Sequence, residues 1–182
     1  MAPRPSIVGP FPPGSDHEGY DRLRRRVLWR LTNGLYLLGA RAGARRTLMT
    51  CSLVSQLATS PKLVGVALES GSESLALVRV AGAFALTLVQ RSDAAVVRTF
   101  AKPAVEDPVA GTLSGRAYRD AAVSGSPVLV GAAAFLDCSV ERIVDLGSHV
   151  LCVGEVVDAG FGEAGEDVEV LRSEDTRMSY GG

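Results

Sequence analysis

Thr47-Leu48-Met49-Thr50-Cys51-Ser52-Leu53-Val54-Ser55-Gln56, followed by Pro61-Lys62-Leu63-Val64-Gly65-Val66-Ala67-Leu68, sets the architecture of this chain. The first run reads as a strand edge rich in hydroxyls and main-chain donors and the second as a buried strand, so strands are expected over 48–56 and 63–68. In the first run the hydroxyls of Thr50, Ser52 and Ser55 interleave with Cys51, Leu53 and Val54, an order that turns donors toward a cleft and apolar groups toward a core. Phosphate needs several N–H and O–H donors at once. A flat heterocycle needs amides along one edge and apolar side chains on its faces. A nucleotide or flavin site is one reading of this stretch, and an ordinary half-exposed strand is the other.

Working outward, the turn Thr32-Asn33-Gly34 precedes a first buried strand over 35–40, and a polar turn over 41–46 leads into the quoted stretch. Downstream, a helix is expected over 72–80 with Ser72 as its N-cap and Gly82 as its stop. Ser72 and Ser74 at that helix start form a second candidate phosphate cradle, beside the plainer reading of an N-cap. A strand over 84–89, a helix over 94–101 and a less regular segment to Gly125 come next. Strands over 128–142 and 149–159, joined by Asp145-Leu146-Gly147-Ser148, and a last strand near 168–172 complete the chain. Strands dominate and do not alternate regularly with helices, so a β-barrel with helices filling its gaps fits better than a doubly wound sheet.

Upstream, Leu23, Val27, Leu28 and Leu31 recur at helical spacing, and Asp21 suits the positive end of a helix dipole, so a short amphipathic helix is expected over 21–31. Its other face carries Arg22, Arg24, Arg25, Arg26 and Arg30, read as a solvated or salt-bridged face. Pro3, Pro5, Pro10, Pro12 and Pro13 make residues 1–19 a flexible arm, which leaves 20–182 as one domain.

Composition removes several classes of function. A net charge of -1 gives no general attraction to nucleic acid, and no apolar run approaches the roughly 20 residues that cross a bilayer. The N-terminus lacks the apolar core of a secretion signal, so the cytoplasm is the expected compartment. Cys51, Cys138 and Cys152 show no Cys-x-x-Cys spacing and are expected as buried, reduced thiols. With only His17 and His149, no metal site is expected. The chain has no Gly-x-Gly-x-x-Gly or Gly-Lys-Ser/Thr loop, and Asp145, Ser148 and His149 are too close in sequence to converge as a hydrolytic triad.

The order of these pieces resembles the flavin reductase-like FMN-binding split-barrel family. The resemblance rests on Leu31-Thr32-Asn33-Gly34-Leu35-Tyr36, on 49–56, on 61–68, on Gly82-Ala83-Phe84-Ala85-Leu86-Thr87-Leu88, on Gly125-Ser126-Pro127-Val128-Leu129, on Gly147-Ser148-His149, on 153–159 and on Ser179-Tyr180-Gly181-Gly182, and covers 23–182. It implies a mainly β (α+β) fold, an antiparallel split β-barrel with a few short helices, and a homodimer with FMN near the interface. It also implies NADH or NADPH as co-substrate, NAD(P)H-dependent FMN reductase activity and a partner monooxygenase that takes the reduced flavin, with no role for nucleic acid or membrane. The alternative is an electron-carrying or non-catalytic FMN-binding protein without a nicotinamide site.

Carried onto this sequence, the family's flavin contacts fall on Met49, Thr50, Cys51, Ser52, Leu53, Ser55 and Gln56, on Ala67, Leu68 and Glu69, on Ser72 and Ser74, and on Thr87, Gln90 and Arg91, the last three toward the phosphate. His149 takes the position beside flavin and nicotinamide and is the catalytic candidate. The chain departs from the family pattern at Thr87, where Asn is usual, at Leu53 and Ala58, at Ser148, where Asp precedes the histidine, and at Arg177-Met178, where Gly-Trp is usual.

Overall fold

Two residues, Ser52 and Leu53, join strands that lie at opposite edges of one sheet. The computed structural model describes residues 9–176. Its main sheet has seven antiparallel strands: β1 (Tyr36–Ala42), β2 (Arg45–Cys51), β3 (Val54–Thr59), β4 (Lys62–Glu69), β5 (Ala83–Leu88), β10 (Ala134–Asp145) and β11 (His149–Phe161). Their order in space is β2-β1-β5-β10-β11-β4-β3. Laid flat, the outer strands would stand about 29 Å apart at the usual strand spacing. The Ser52-Leu53 link reaches only about 11 Å. The sheet is therefore curled on itself, and the unpaired edges of β2 and β3 leave an open seam that closes only at this corner, which makes the barrel split. The single strand expected over 48–56 is corrected to two strands with a corner between them: Val54 N–H donates to Ser52 O (3.0 Å) and Ala67 N–H to Leu53 O (2.9 Å).

Alternation along β1 builds two cores. Leu38 and Ala40 point into the barrel, where they meet Cys51, Val66, Leu68, Phe84, Leu86, Cys138 and Cys152, while Leu35 and Leu37 point outward. Burial on both faces explains why β1 reads as a continuous apolar run. Helix α2 (Glu73–Ala81) fills the barrel with Leu75, Leu77 and Val78. It is capped as expected, with Ser72 Oγ accepting from Leu75 N–H and Gly82 left-handed at φ 63°.

The outer core is closed by a 3-10 turn (Arg91–Asp93), the single-turn α3 (Val96–Thr99) and a second sheet of β6 (Glu106–Asp107), β7 (Thr112–Leu113), β8 (Arg116–Asp120) and β9 (Pro127–Leu129). Val96, Val97, Phe100, Leu113 and Leu129 supply its side chains. A Cβ at Gly39 would stand 1.9 Å from Pro127 O, so glycine is required where β9 crosses β1.

Several expected boundaries move. The polar turn over 41–46 shrinks to Gly43 and Ala44, because β1 and β2 pair as far as Ala42 and Arg45. The helix over 94–101 is only α3, preceded by the 3-10 turn. The strand over 128–142 is cut at 130–133, where Gly131 takes φ 80°, and β11 runs on to Phe161. The strand near 168–172 is reduced to two isolated bridges, Gln90 with Val170 and Gly34 with Arg172; Leu171 between them is buried in the outer core. Helix α1 spans His17–Leu28, starting before the expected Asp21, because Asp16 accepts from the N–H groups of Glu18 and Gly19. Residues 17–19 of the expected arm are thus helical, and Phe11 stacks on His17 with ring centroids 4.1 Å apart. Arg177, Met178 and the Ser179-Tyr180-Gly181-Gly182 end lie outside the described residues, as do Pro3 and Pro5. Among the described residues no helix is long and apolar enough to cross a membrane.

Candidate functional site

The seam corner and the end of β4 come together on one side of the barrel. Ala67, which donates to Leu53 O, sits opposite Leu151, and Glu69 sits opposite His149. The loop after β4 is tied to the β10–β11 turn twice, by Ser70 N–H to Ser148 O (2.9 Å) and Ser70 Oγ to Gly147 O (2.7 Å). The strand period places Leu53, Ala67, Glu69 and His149 on the outer face of the sheet, while Cys51 and Leu68 belong to the barrel interior. Met49 also leans inward and takes a contact from Ser74 Oγ (3.6 Å), and Ser72 caps α2 beside it. Residues from Met49 to Leu53, from Ala67 to Glu69, Ser72, Ser74 and His149 therefore gather at one end of the molecule.

Within that group the hydroxyls differ sharply. Thr50 is fully engaged: its Oγ1 donates to Val97 O (2.8 Å) and its N–H to Phe100 O (2.8 Å). Ser55 Oγ donates to Gln56 O (3.2 Å), and Gln56 Nε2 to Ala58 O (3.2 Å), so both are satisfied along β3. Ser52 is only 6% exposed, and its hydroxyl has no hydrogen-bond partner among the described residues. The residue is buried, but its hydroxyl oxygen is not closed off as those of Thr47 and Ser126 are, so it is free to meet a ligand or a water. His149 is half-buried, with Ser148 Oγ 3.0 Å from its Nδ1. Cys51 offers no thiolate, since burial pushes its thiol up to about 12.

Thr87, Gln90 and Arg91 lie elsewhere. Thr87 shares a row with Leu37 and Thr50, two strand spacings from the latter, or about 10 Å. It is fully buried, and its Oγ1 accepts from Leu129 N–H (3.2 Å), which locks β9 onto β5. Gln90 Nε2 donates to Gly131 O (2.9 Å). Arg91 is held by Glu169 (3.1 Å) and Asp175 (2.9 Å), and the hydrogen bond to Glu169 raises its pKa further. The cavity beside it, about 380 Å³, is lined by Asp167, Glu169, Glu174 and Asp175 as well as Arg91 and Arg172. Four carboxylates make that space a poor phosphate pocket.

Sequence reasoning passed over the turn that grips β2. Val97 and Phe100 give their carbonyls to Thr50, and Arg98 and Lys102 on the same turn are exposed cations with no ion pair among the described residues. The signal available was thin: Lys102 is one of only two lysines in the chain.

Comparison with known proteins bears on the family and the fold. Residues 28–176 match the model of the flavin reductase like domain. The NADPH-flavin oxidoreductase of Streptomyces viridifaciens is 34% identical over 160 residues, covering 82% of this chain and 79% of that protein. The reductase component of 4-hydroxyphenylacetate 3-monooxygenase from Thermus thermophilus is 28% identical over 141 residues, covering 78% of this chain and 85% of that protein. The solved NADH:FAD oxidoreductase of Streptomyces globisporus, in complex with NAD and FAD fragments, shares the fold with a TM-score of 0.73 at 22% identity, covering 86% of this chain and 89% of its own. Other curated relatives are much longer, and the chain spans 32% of one and 23% of another. A family match that runs from the end of α1 to the last described residue, on a split barrel of the same architecture, means that this chain belongs to the flavin reductase-like domain family.

Proposed function

We propose that the chain is an NAD(P)H-dependent flavin reductase that binds FMN at the seam corner and supplies reduced flavin to a partner monooxygenase. The observation that carries the reading is Ser52, a residue nine-tenths buried whose hydroxyl is left unpartnered where the sheet turns its corner. The site fits the group: Ser52 supplies a polar contact, Met49 and Leu53 supply apolar surface, and Arg98 and Lys102 are chain neighbours of Val97 and Phe100, whose carbonyls take the Thr50 donors, so they are the cations we assign to the phosphate. Arg91 is the weaker candidate for that last role, because two carboxylates already hold it.

FMN, when bound, supplies a hydride acceptor, and the protein's part is position, exclusion of water and hydrogen bonding. Ser52 would fix the ring system against the corner. Ser148 Oγ beside Nδ1 leaves the His149 Nε2 to orient the nicotinamide. The name of the Thermus thermophilus relative, a reductase component, supports a partner oxygenase, and the family resemblance supports a homodimer. The arm, now confined to residues before Asp16, and the domain after it remain our division of the chain.

The test is a visible-spectrum titration with FMN followed by NADH and NADPH oxidation. Micromolar binding and turnover above the free-flavin background are expected; the absence of both overturns the reading. A second reading, a flavin carrier with no nicotinamide site, is favoured by one feature: a hydroxyl, not a carboxylate, stands beside His149. Tight flavin with no oxidation of either nicotinamide selects it.

A further inference from the structure

Among the uncovered apolar surfaces of the described residues, two match each other. The first is α1, none of whose residues is buried. Leu23 and Val27 on the helix and Leu31 just beyond its end form a stripe, 54%, 61% and 63% exposed. Arg26 and Arg30 flank the stripe and line a groove with Leu23 and Val27. Neither arginine has an ion pair among the described residues, whereas Arg22, Arg24 and Arg25 on the same helix are paired with Glu18 or Asp21. A lone helix of this length is marginal in water, so a stripe of this kind is stabilised by packing on something else.

The second surface is the outer face of β3, β4, β11 and β10. Leu57 packs over Gly65 and Leu151, and Val144 pairs with Leu151 across the β10–β11 ladder. Leu53, Leu57, Val144 and Leu146 leave a broad apolar patch open to solvent. Glu69 and Glu155 stand on the same strands at its two ends, each without an ion pair among the described residues.

We infer that α1 of one copy docks on this sheet face of a second copy, and that the exchange is reciprocal. The inference rests on the homodimer reading above and adds the surfaces that make it. A second copy is the occupant because one chain carries both halves: an apolar stripe flanked by unpaired cations, and an apolar face ended by unpaired carboxylates. A two-fold axis then buries both halves twice and closes the assembly at two chains. The partner's α1 comes to lie beside Leu53 and His149, which share the outer face with the patch, so each flavin cleft gains a wall from the other copy.

The full chain is to be examined by sedimentation equilibrium and by cysteine crosslinking. The wild type is expected at twice the 19.0 kDa chain mass, and Leu23→Glu/Val27→Glu and Leu57→Glu/Val144→Glu are each expected at the monomer mass with unchanged circular dichroism. Copies carrying Val27→Cys mixed with copies carrying Val144→Cys should form an intermolecular disulfide under mild oxidation. The native Cys51, Cys138 and Cys152 are buried and stay out of this reaction. A wild-type monomer overturns the dimer together with the clasp. A dimer that survives Leu23→Glu/Val27→Glu and gives no crosslink overturns the clasp alone. A crosslink that forms inside one chain carrying both cysteines, at the monomer mass, places the helix on its own sheet and also overturns it. FMN titration of the same samples reports separately on the flavin reading.

Discussion

Ser52 and Thr50 are two residues apart and both hydroxylated, yet only one is available. Thr50 spends its hydroxyl on Val97 O, and Ser52 spends its own on nothing within the described protein. Ser52→Ala is therefore expected to weaken FMN binding about tenfold, the effect of one lost hydrogen bond of about 1.4 kcal/mol, with little change in melting temperature. Thr50→Ala is expected to act in the opposite sense, lowering stability by about 1–2 kcal/mol in urea denaturation by leaving a buried carbonyl unpaired. His149→Ala should raise the KM for the nicotinamide while leaving the FMN dissociation constant within about twofold; equal loss in both measurements would assign His149 to the flavin instead. The thiols carry a pH dependence. Cys51 and Cys138 are both pushed up to about 12 by burial, whereas an unfolded thiol titrates near 9. Protons are then held more tightly in the folded chain, so this stability is fully present below about pH 9 and is lost as pH rises toward 12. Thermal melts from pH 7 to 10.5 should show a falling midpoint, flattened in Cys51→Ala and Cys138→Ala after subtraction of each variant's own pH 7 value.

At the scale of elements, the strands and the cap of α2 were readable because they are local. β1 alternates between two buried faces, and Ser72 and Gly82 end α2 by chemistry that three or four neighbouring residues settle. The corner at Ser52-Leu53 was not readable, since nothing in Thr50-Cys51-Ser52-Leu53-Val54 breaks a strand by propensity. The break comes from β4, whose Ala67 N–H captures Leu53 O. The strand near Val170 failed for the converse reason. Its residues suit a strand, but it meets the sheet only beyond the end of the β1–β5 ladder, at Gly34-Leu35 and Val89-Gln90, where single bridges form around the buried Leu171. Leu171→Ala is expected to cost about 2–5 kcal/mol by chemical denaturation, because it empties the outer core where the C-terminal segment is latched. Gly39→Ala is expected to cost about 3 kcal/mol or to prevent folding, as its Cβ would enter the Pro127 carbonyl.

On the scale of the whole molecule, a seven-stranded sheet whose edges are two residues apart must roll up, and the roll exposes a corner that a flat sheet would have buried. One sheet face and α1 are left uncovered, and it is on these surfaces that we place the proposed flavin cleft and the proposed contact with a second copy. What the sequence determined by itself is the position of most strand segments of the main sheet, the cap and stop of α2, the absence of the common nucleotide loops and, through the order of its motifs, the family. Each of these depends on residues that are neighbours along the chain or on their order within it. Only the tertiary structure decided which donor stays free at Ser52, that Thr87 and Thr50 are consumed by β9 and α3, and that Arg91 is already paired with Glu169 and Asp175. Those outcomes depend on contacts between residues tens of positions apart, and hydrogen-bond competition at that distance is settled by packing.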